Sequence, residues 1–124
     1  MKIIETLTRI FLRPSDLDKS IHFYENLFGQ KCDNRFKYLE KGLELASVAS
    51  CLLISGSAYY LKPFREMRVT YLVDSINSFK EFLLGQGATI LEEPKLIPTG
   101  INMRVKHPDG LVVEYVELET DGGA

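Results

Sequence analysis

The sequence predicts an α+β domain built from two related βαβββ modules, and three observations carry that expectation. Two amphipathic helical stripes, each opened by capping residues and closed by glycine, recur along the chain. Each stripe follows one run of β-branched and apolar residues and precedes three more. The spacing of the copies is nearly constant: Arg9-Ile10-Phe11-Leu12 matches Arg68-Val69-Thr70-Tyr71 at an offset of 59, while Ser20-Ile21 and Gly29 match Ser78-Phe79 and Gly87 at 58.

Taken in order, Ile3 to Arg13 reads as a strand, which Pro14-Ser15-Asp16 stops before capping a helix. Leu17, Ile21, Tyr24 and Phe28 form the helical stripe, and Gly29 supplies a left-handed C-terminal cap. Strands at Phe36 to Glu40, Leu43 to Val48 and Cys51 to Ser55, with turns at Lys41-Gly42 and Ala49-Ser50, make an antiparallel meander. After residues 56–66 the order returns. Arg68 to Val73 is a strand, Asp74-Ser75 a cap, and Ile76, Phe79 and Leu83 a stripe ended by Gly85 and Gly87. Strands follow at Ala88 to Glu92, Ile101 to Lys106 and Leu111 to Leu118, the last two joined through His107-Pro108-Asp109-Gly110. Pro94 and Pro98 make 93–100 a loop. The expected organisation is one domain over 1–120, with module 1 at about 3–55, a linker at 56–66, module 2 at about 67–118, and a frayed tail at 121–124.

A chain of 124 residues can bury a core without a disulfide or structural metal. Its hydrophobic content of 45% is that of a globular domain, and no apolar run approaches the roughly 20 residues of a membrane span. Met1-Lys2-Ile3-Ile4-Glu5 has none of the layout of a secretory leader, so a soluble, cytoplasmic protein without a membrane partner is expected. A net charge of -2 and a pI near 5.7 speak against a nucleic-acid surface. Cys32 and Cys51, 19 apart, read as reduced structural thiols. The expected partners are a small molecule and a second copy of the chain.

Asp16-Leu17-Asp18-Lys19-Ser20-Ile21-His22-Phe23-Tyr24, closing at Leu27-Phe28-Gly29, resembles the first strand-helix signature of the vicinal oxygen chelate superfamily of glyoxalase, bleomycin-resistance and extradiol-dioxygenase proteins. Lys106-His107-Pro108-Asp109-Gly110 followed by Val113-Glu114-Tyr115 resembles its closing turn and last strand. The resemblance covers roughly Thr6 to Leu118. It implies a cupped mixed sheet with helices on the outer face, ligands bound inside the cup, and a homodimer.

Metal-using members hold their ion at four positions, one on the first and one on the last strand of each half. The resemblance places these on Arg9, Arg68, Glu114 and a residue near Leu53 or Ile54. A guanidinium carries donors and no lone pair, and it stays charged in proteins. Two of them about 6 Å apart, at an effective dielectric near 20, repel by about 3 kcal/mol. No metal and no other cofactor is therefore expected, a divalent metal being the alternative. His22, on the helix, reads as a surface residue, and His107 as a turn residue or rim contact.

Alternation puts Arg9, Phe11 and Arg13 on one strand face and Ile10 and Leu12 on the other. By itself this is a half-buried strand with a solvated charged face. In the implied fold the charged face is the cup, where Thr70 and Leu72 join Arg68, and Val112 and Val116 flank Glu114. Glu114 either pairs with an arginine or orients a ligand. The expected ligand-binding residues are Arg9, Phe11, Arg68, Thr70, Leu72, Val112 and Glu114, with Tyr59-Tyr60 and Phe64-Arg65 of the linker as packing or mouth residues. The reading is a metal-free, glyoxalase/bleomycin-resistance-like protein that binds a small anionic or polar-aromatic molecule. The alternative is an enzyme, a lyase, isomerase or dioxygenase of the same superfamily. It would be metal-dependent in another register of the ligand positions, or use Glu114 as acid-base catalyst. A regulatory module without a ligand is the third class.

Overall fold

The computed structural model describes residues 1–119, so the expected tail, Asp121-Gly122-Gly123-Ala124, lies outside the described residues. The class is α+β, and the chain forms two compact units. One spans Leu7–Arg68; the other joins Met1–Thr6 to the chain from Val69 onward. The first strand, β1 (Ile3–Leu12), thus begins in one unit and ends in the other.

The Leu7–Arg68 unit carries α1 (Leu17–Phe28), β2 (Asn34–Tyr38), β3 (Leu43–Val48), β4 (Cys51–Ser55) and a short α2 (Ala58–Leu61). Its strands lie in the order β2-β3-β4-β1, antiparallel except for the parallel β4-β1 pair. Leu17 and Ile21 of α1 pack on Ala46, Val48, Cys51 and Leu53, with Ile10, Leu12, Tyr24 and Cys32 around them. This is the expected alternation, with the even-numbered side chains of β1 toward the helix. Gly29 ends α1 at φ 66, its N–H donating to the Glu25 carbonyl. At the other end Pro14–Asp16 is a 3-10 turn, and Asp16 does not cap with its side chain. Its carboxylate faces Arg13 and Lys19, both 3.3 Å away, and their hydrogen bonds lower its pKa.

Two expectations for this unit change. The strand expected at Phe36 to Glu40 runs from Asn34 to Tyr38, because Leu39–Lys41 turns as a 3-10 helix closed by Gly42 at φ 67. The linker is not irregular: Ser57 accepts the Tyr60 N–H at 3.4 Å to start α2, and Lys62–Phe64 continues as a 3-10 turn.

The second unit carries β5 (Val69–Val73), α3 (Ile76–Gly85), β6 (Thr89–Ile97), β7 (Gly100–Lys106) and β8 (Val112–Leu118), with strand order β5-β8-β7-β6 and β5 parallel to β8. Ile76, Phe79 and Leu83 pack on Val73, Ala88, Met103, Val105, Val113 and Tyr115. Ser75 caps α3, its Oγ accepting the Ser78 N–H at 3.2 Å. Its neighbour Asp74 instead ties down the chain start: its N–H donates to the Lys2 carbonyl at 3.1 Å, and its Oδ1 accepts the Lys2 N–H at 2.9 Å. The expected loop at 93–100 is overturned over most of its length, since β6 continues to Ile97 through Pro94. The proline is tolerated because β6 is the unit's edge strand, and its pairing with β7 shifts register between Ile90 and Glu92 and again between Glu92 and Lys95. Arg68, expected to open the second module's first strand, immediately precedes it. Among the described residues no helix is long and apolar enough to cross a membrane.

Candidate functional site

In the Leu7–Arg68 unit, β1 turns Arg9 and Phe11 away from α1, since Ile10 and Leu12 occupy the helix side. Arg9 is nearly buried. Its Nε donates to the Met67 carbonyl at 2.8 Å, a bond that offsets part of the cost of taking a guanidinium out of water. Its guanidinium carbon stands 5.7 Å from the centroid of the Phe11 ring, and that of Arg65 stands at the same 5.7 Å. One ring therefore faces two cations, each attracted to the π-cloud by about 0.5–2 kcal/mol. The Arg9 N–H donates to the Arg68 carbonyl at 3.1 Å, which fixes the Arg68 backbone beside β1 and leaves its side chain exposed. Arg9, Phe11 and the Arg68 backbone thus lie together in this unit, and Arg65 joins them.

Leu53 and Ile54, the two residues named for the remaining position, lie on opposite faces of β4. Leu53 packs in the α1 core, whereas Ile54 pairs with Phe11 across the parallel β1-β4 ladder and lies on its face. Ile54 is fully buried, as are Leu61 and Met67, which come from the connection after β4.

The second unit places Thr70, Leu72, Val112, Glu114 and Val116 together. Val69, Tyr71, Val113 and Tyr115 face α3, so the residues alternating with them face away. Glu114 lies opposite Thr70 and accepts its hydroxyl proton on Oε1 at 2.8 Å, while Asn102 Nδ2 donates to Oε2 at 2.8 Å. Arg104, across the ladder from Glu114, holds Glu92 at 3.1 Å, and Lys95 holds the same carboxylate at 2.9 Å. The oxygen of the same Asn102 amide, Oδ1, is buried with no hydrogen-bond partner among the described residues.

The histidines fall elsewhere. His22 is exposed on α1. His107 shares a 2.7 Å hydrogen bond with the Tyr115 hydroxyl and stacks on Tyr71. Burial, helped by Tyr71, pushes the Tyr115 phenol up to about 12. Cys51 is buried, which raises its thiol pKa.

The superfamily resemblance brings a divalent metal with it, and these residues do not fit one. Arg9 and Arg68 offer no lone pair, Ile54 offers no donor atom, and both oxygens of Glu114 accept hydrogen bonds. Among the described residues no group of three or more His, Cys, Asp or Glu could hold an ion.

No sequence-family description matches the chain, and no curated protein does. Solved structures do match. An uncharacterized protein from Methanosarcina mazei is 45% identical, with 98% of this chain and 97% of that chain covered and a TM-score of 0.89. The methylmalonyl-CoA epimerase of Mycobacterium tuberculosis is 17% identical over 95% of this chain and 90% of that one, with a TM-score of 0.70. A variant of the Streptomyces coelicolor methylmalonyl-CoA epimerase, in complex with 2-nitronate-propionyl-CoA, is 15% identical over 96% and 100%, with a TM-score of 0.66. At such identities the epimerases speak to the fold alone, and that fold is of the vicinal oxygen chelate type.

Proposed function

We propose that this chain, which belongs to the same family as the uncharacterized Methanosarcina mazei protein, is a metal-independent binding protein for a small anionic molecule. The observation that carries this reading is the Phe11 ring with Arg9 and Arg65 each 5.7 Å from its centroid and the Arg68 backbone hydrogen-bonded beside it. Three arginines against the one carboxylate of Glu66 give this part of the unit a charge of about +2. A carboxylate or phosphate receives charge-assisted, bidentate hydrogen bonds from exposed guanidinium groups. Such chemistry suits a sequestering protein of the bleomycin-resistance kind better than a glyoxalase, whose reaction needs the metal.

Calorimetric titration of the purified protein with inorganic phosphate and with benzoate tests the reading. Saturable binding is expected, insensitive to a chelator and weakened about tenfold by Arg65→Ala or Arg68→Ala. Heats that do not saturate, or affinities that both variants leave unchanged, would overturn it. Near-stoichiometric zinc, nickel, iron or manganese in the purified protein would overturn its metal-free part.

A second reading rests on Glu114. Thr70 and Asn102 fix both oxygens of its carboxylate, which is the arrangement a general base needs to be aimed. Exchange of the α-proton of small carboxylates or thioesters in D2O, abolished by Glu114→Gln, would favour this enzyme over the binder.

A further inference from the structure

We propose a second ligand site in the Leu7–Arg68 unit: a cavity of about 360 Å³ at the β2-β3 turn that takes a small molecule with an apolar body and a carboxylate head. Its walls are set by two glycines. Gly42 closes the Leu39–Lys41 turn at φ 67, and the Tyr60 ring of α2 sits directly on it, so that a Cβ at this position would come within 2.6 Å of the ring's Cγ. Gly56 lets Leu43 approach in the same way, at 2.9 Å from where its Cβ would be. The result is a recess between a tyrosine ring and a leucine, with Leu39 also on its lining. Leu39 is 82% exposed and Tyr60 48% exposed, so apolar surface around the opening stands in water and gains by being covered.

The polar lining is selective. Ser55 Oγ is committed to the Glu44 carbonyl at 2.8 Å, and the Glu44 carboxylate accepts from Arg35 Nε at 2.9 Å. Lys37 lies opposite Glu44 in the β2-β3 ladder, but it makes no ion pair among the described residues. Ser57 Oγ accepts the Tyr60 N–H, which leaves its O–H to donate. One cation and one hydroxyl donor on the wall of a mainly apolar recess recognise a carboxylate attached to a hydrocarbon. None of the lining residues belongs to the Phe11 site, so the two sites stand or fall separately.

Amide shifts of the full-length, 15N-labelled protein, followed during titration with acetate, butanoate and hexanoate, test the site. Saturating shifts are expected at Gly42, Gly56 and Ser57, with Kd falling about three- to fourfold for each added methylene. Lys37→Gln, an exposed strand position that leaves the fold intact, weakens hexanoate about tenfold, while Arg65→Ala leaves it unchanged. Absence of saturating shifts at these amides, equal affinity for acetate and hexanoate, or indifference to Lys37→Gln would overturn the proposal. Loss of these shifts in Arg65→Ala would overturn it too, by assigning the binding to the Phe11 site.

Discussion

The Glu114 carboxylate draws a donor to each of its oxygens, and losing one of them has a definite cost. Thr70→Val keeps the shape of the fully buried side chain but removes the donor to Oε1. Its expected effect is about 1–3 kcal/mol of lost stability, read from urea denaturation, because a hydrogen bond to a charged group is removed at a shielded site. Tyr115 gives a prediction of different form. Its phenol is pushed up to about 12 in the folded chain, so between the ordinary tyrosine value near 10 and that value the unfolded state ionises while the folded state does not. The unfolded state then binds fewer protons, and the stability this group contributes, fully present below about pH 10, is lost as pH rises toward 12. Phenolate absorbance should show a titration step near pH 12 that Tyr115→Phe removes.

Elements differ in how openly the sequence declares them. Both long helices were legible, since their apolar stripes and glycine stops leave one consistent reading. Gly29→Ala is expected to cost about 1 kcal/mol in a denaturant melt, and purely through its φ of 66, because nothing lies within 4 Å of the added methyl. Ser75→Ala is expected to cost about 1 kcal/mol through the lost cap of α3, again read from a denaturant melt. The extension of β6 was not legible, because a proline denies the ladder one donor and only the edge position makes that harmless. The site divides in the same way. Alternation divided β1, β5 and β8 into two faces, but it took the family resemblance to make the face of Arg9, Phe11, Thr70 and Glu114 the candidate cup. Asn102 and Arg104 could have been found by counting back from the 107–110 turn, which sets Arg104 opposite Glu114 and Asn102 opposite Val116. Arg65 could not, because its approach to Phe11 depends on how 56–66 folds, and a short helix capped by Ser57 has too few residues to show a period.

At the scale of the whole molecule, the chain divides at Thr6 and Arg68, so that its first six residues serve the unit built from its last ones. Asp74 is the clasp. Its carboxylate takes the Lys2 N–H at 2.9 Å and lies 3.6 Å from the α-ammonium of Met1. The Lys2 hydrogen bond is the main reason its pKa is lowered. A carboxylate so depressed contributes stability above its ordinary value near 3.8, and this is lost as pH falls through the folded value. Asp74→Asn is therefore expected to speed amide hydrogen exchange at residues 3–6 at neutral pH, with α3 unaffected; equal exchange in both proteins would show that the clasp does not hold the strand.

That division also sets an order of events when the chain is made. Residues 7–68 all precede β5, and they can fold as they emerge. The residues ahead of them must wait, with the first four residues of β1 in hand, until Asp74 has left the ribosome. During that interval each nascent chain carries an unmatched β-segment. On a crowded polysome, the Asp74 of a neighbouring copy presents the same hydrogen-bonding groups to that segment as its own does.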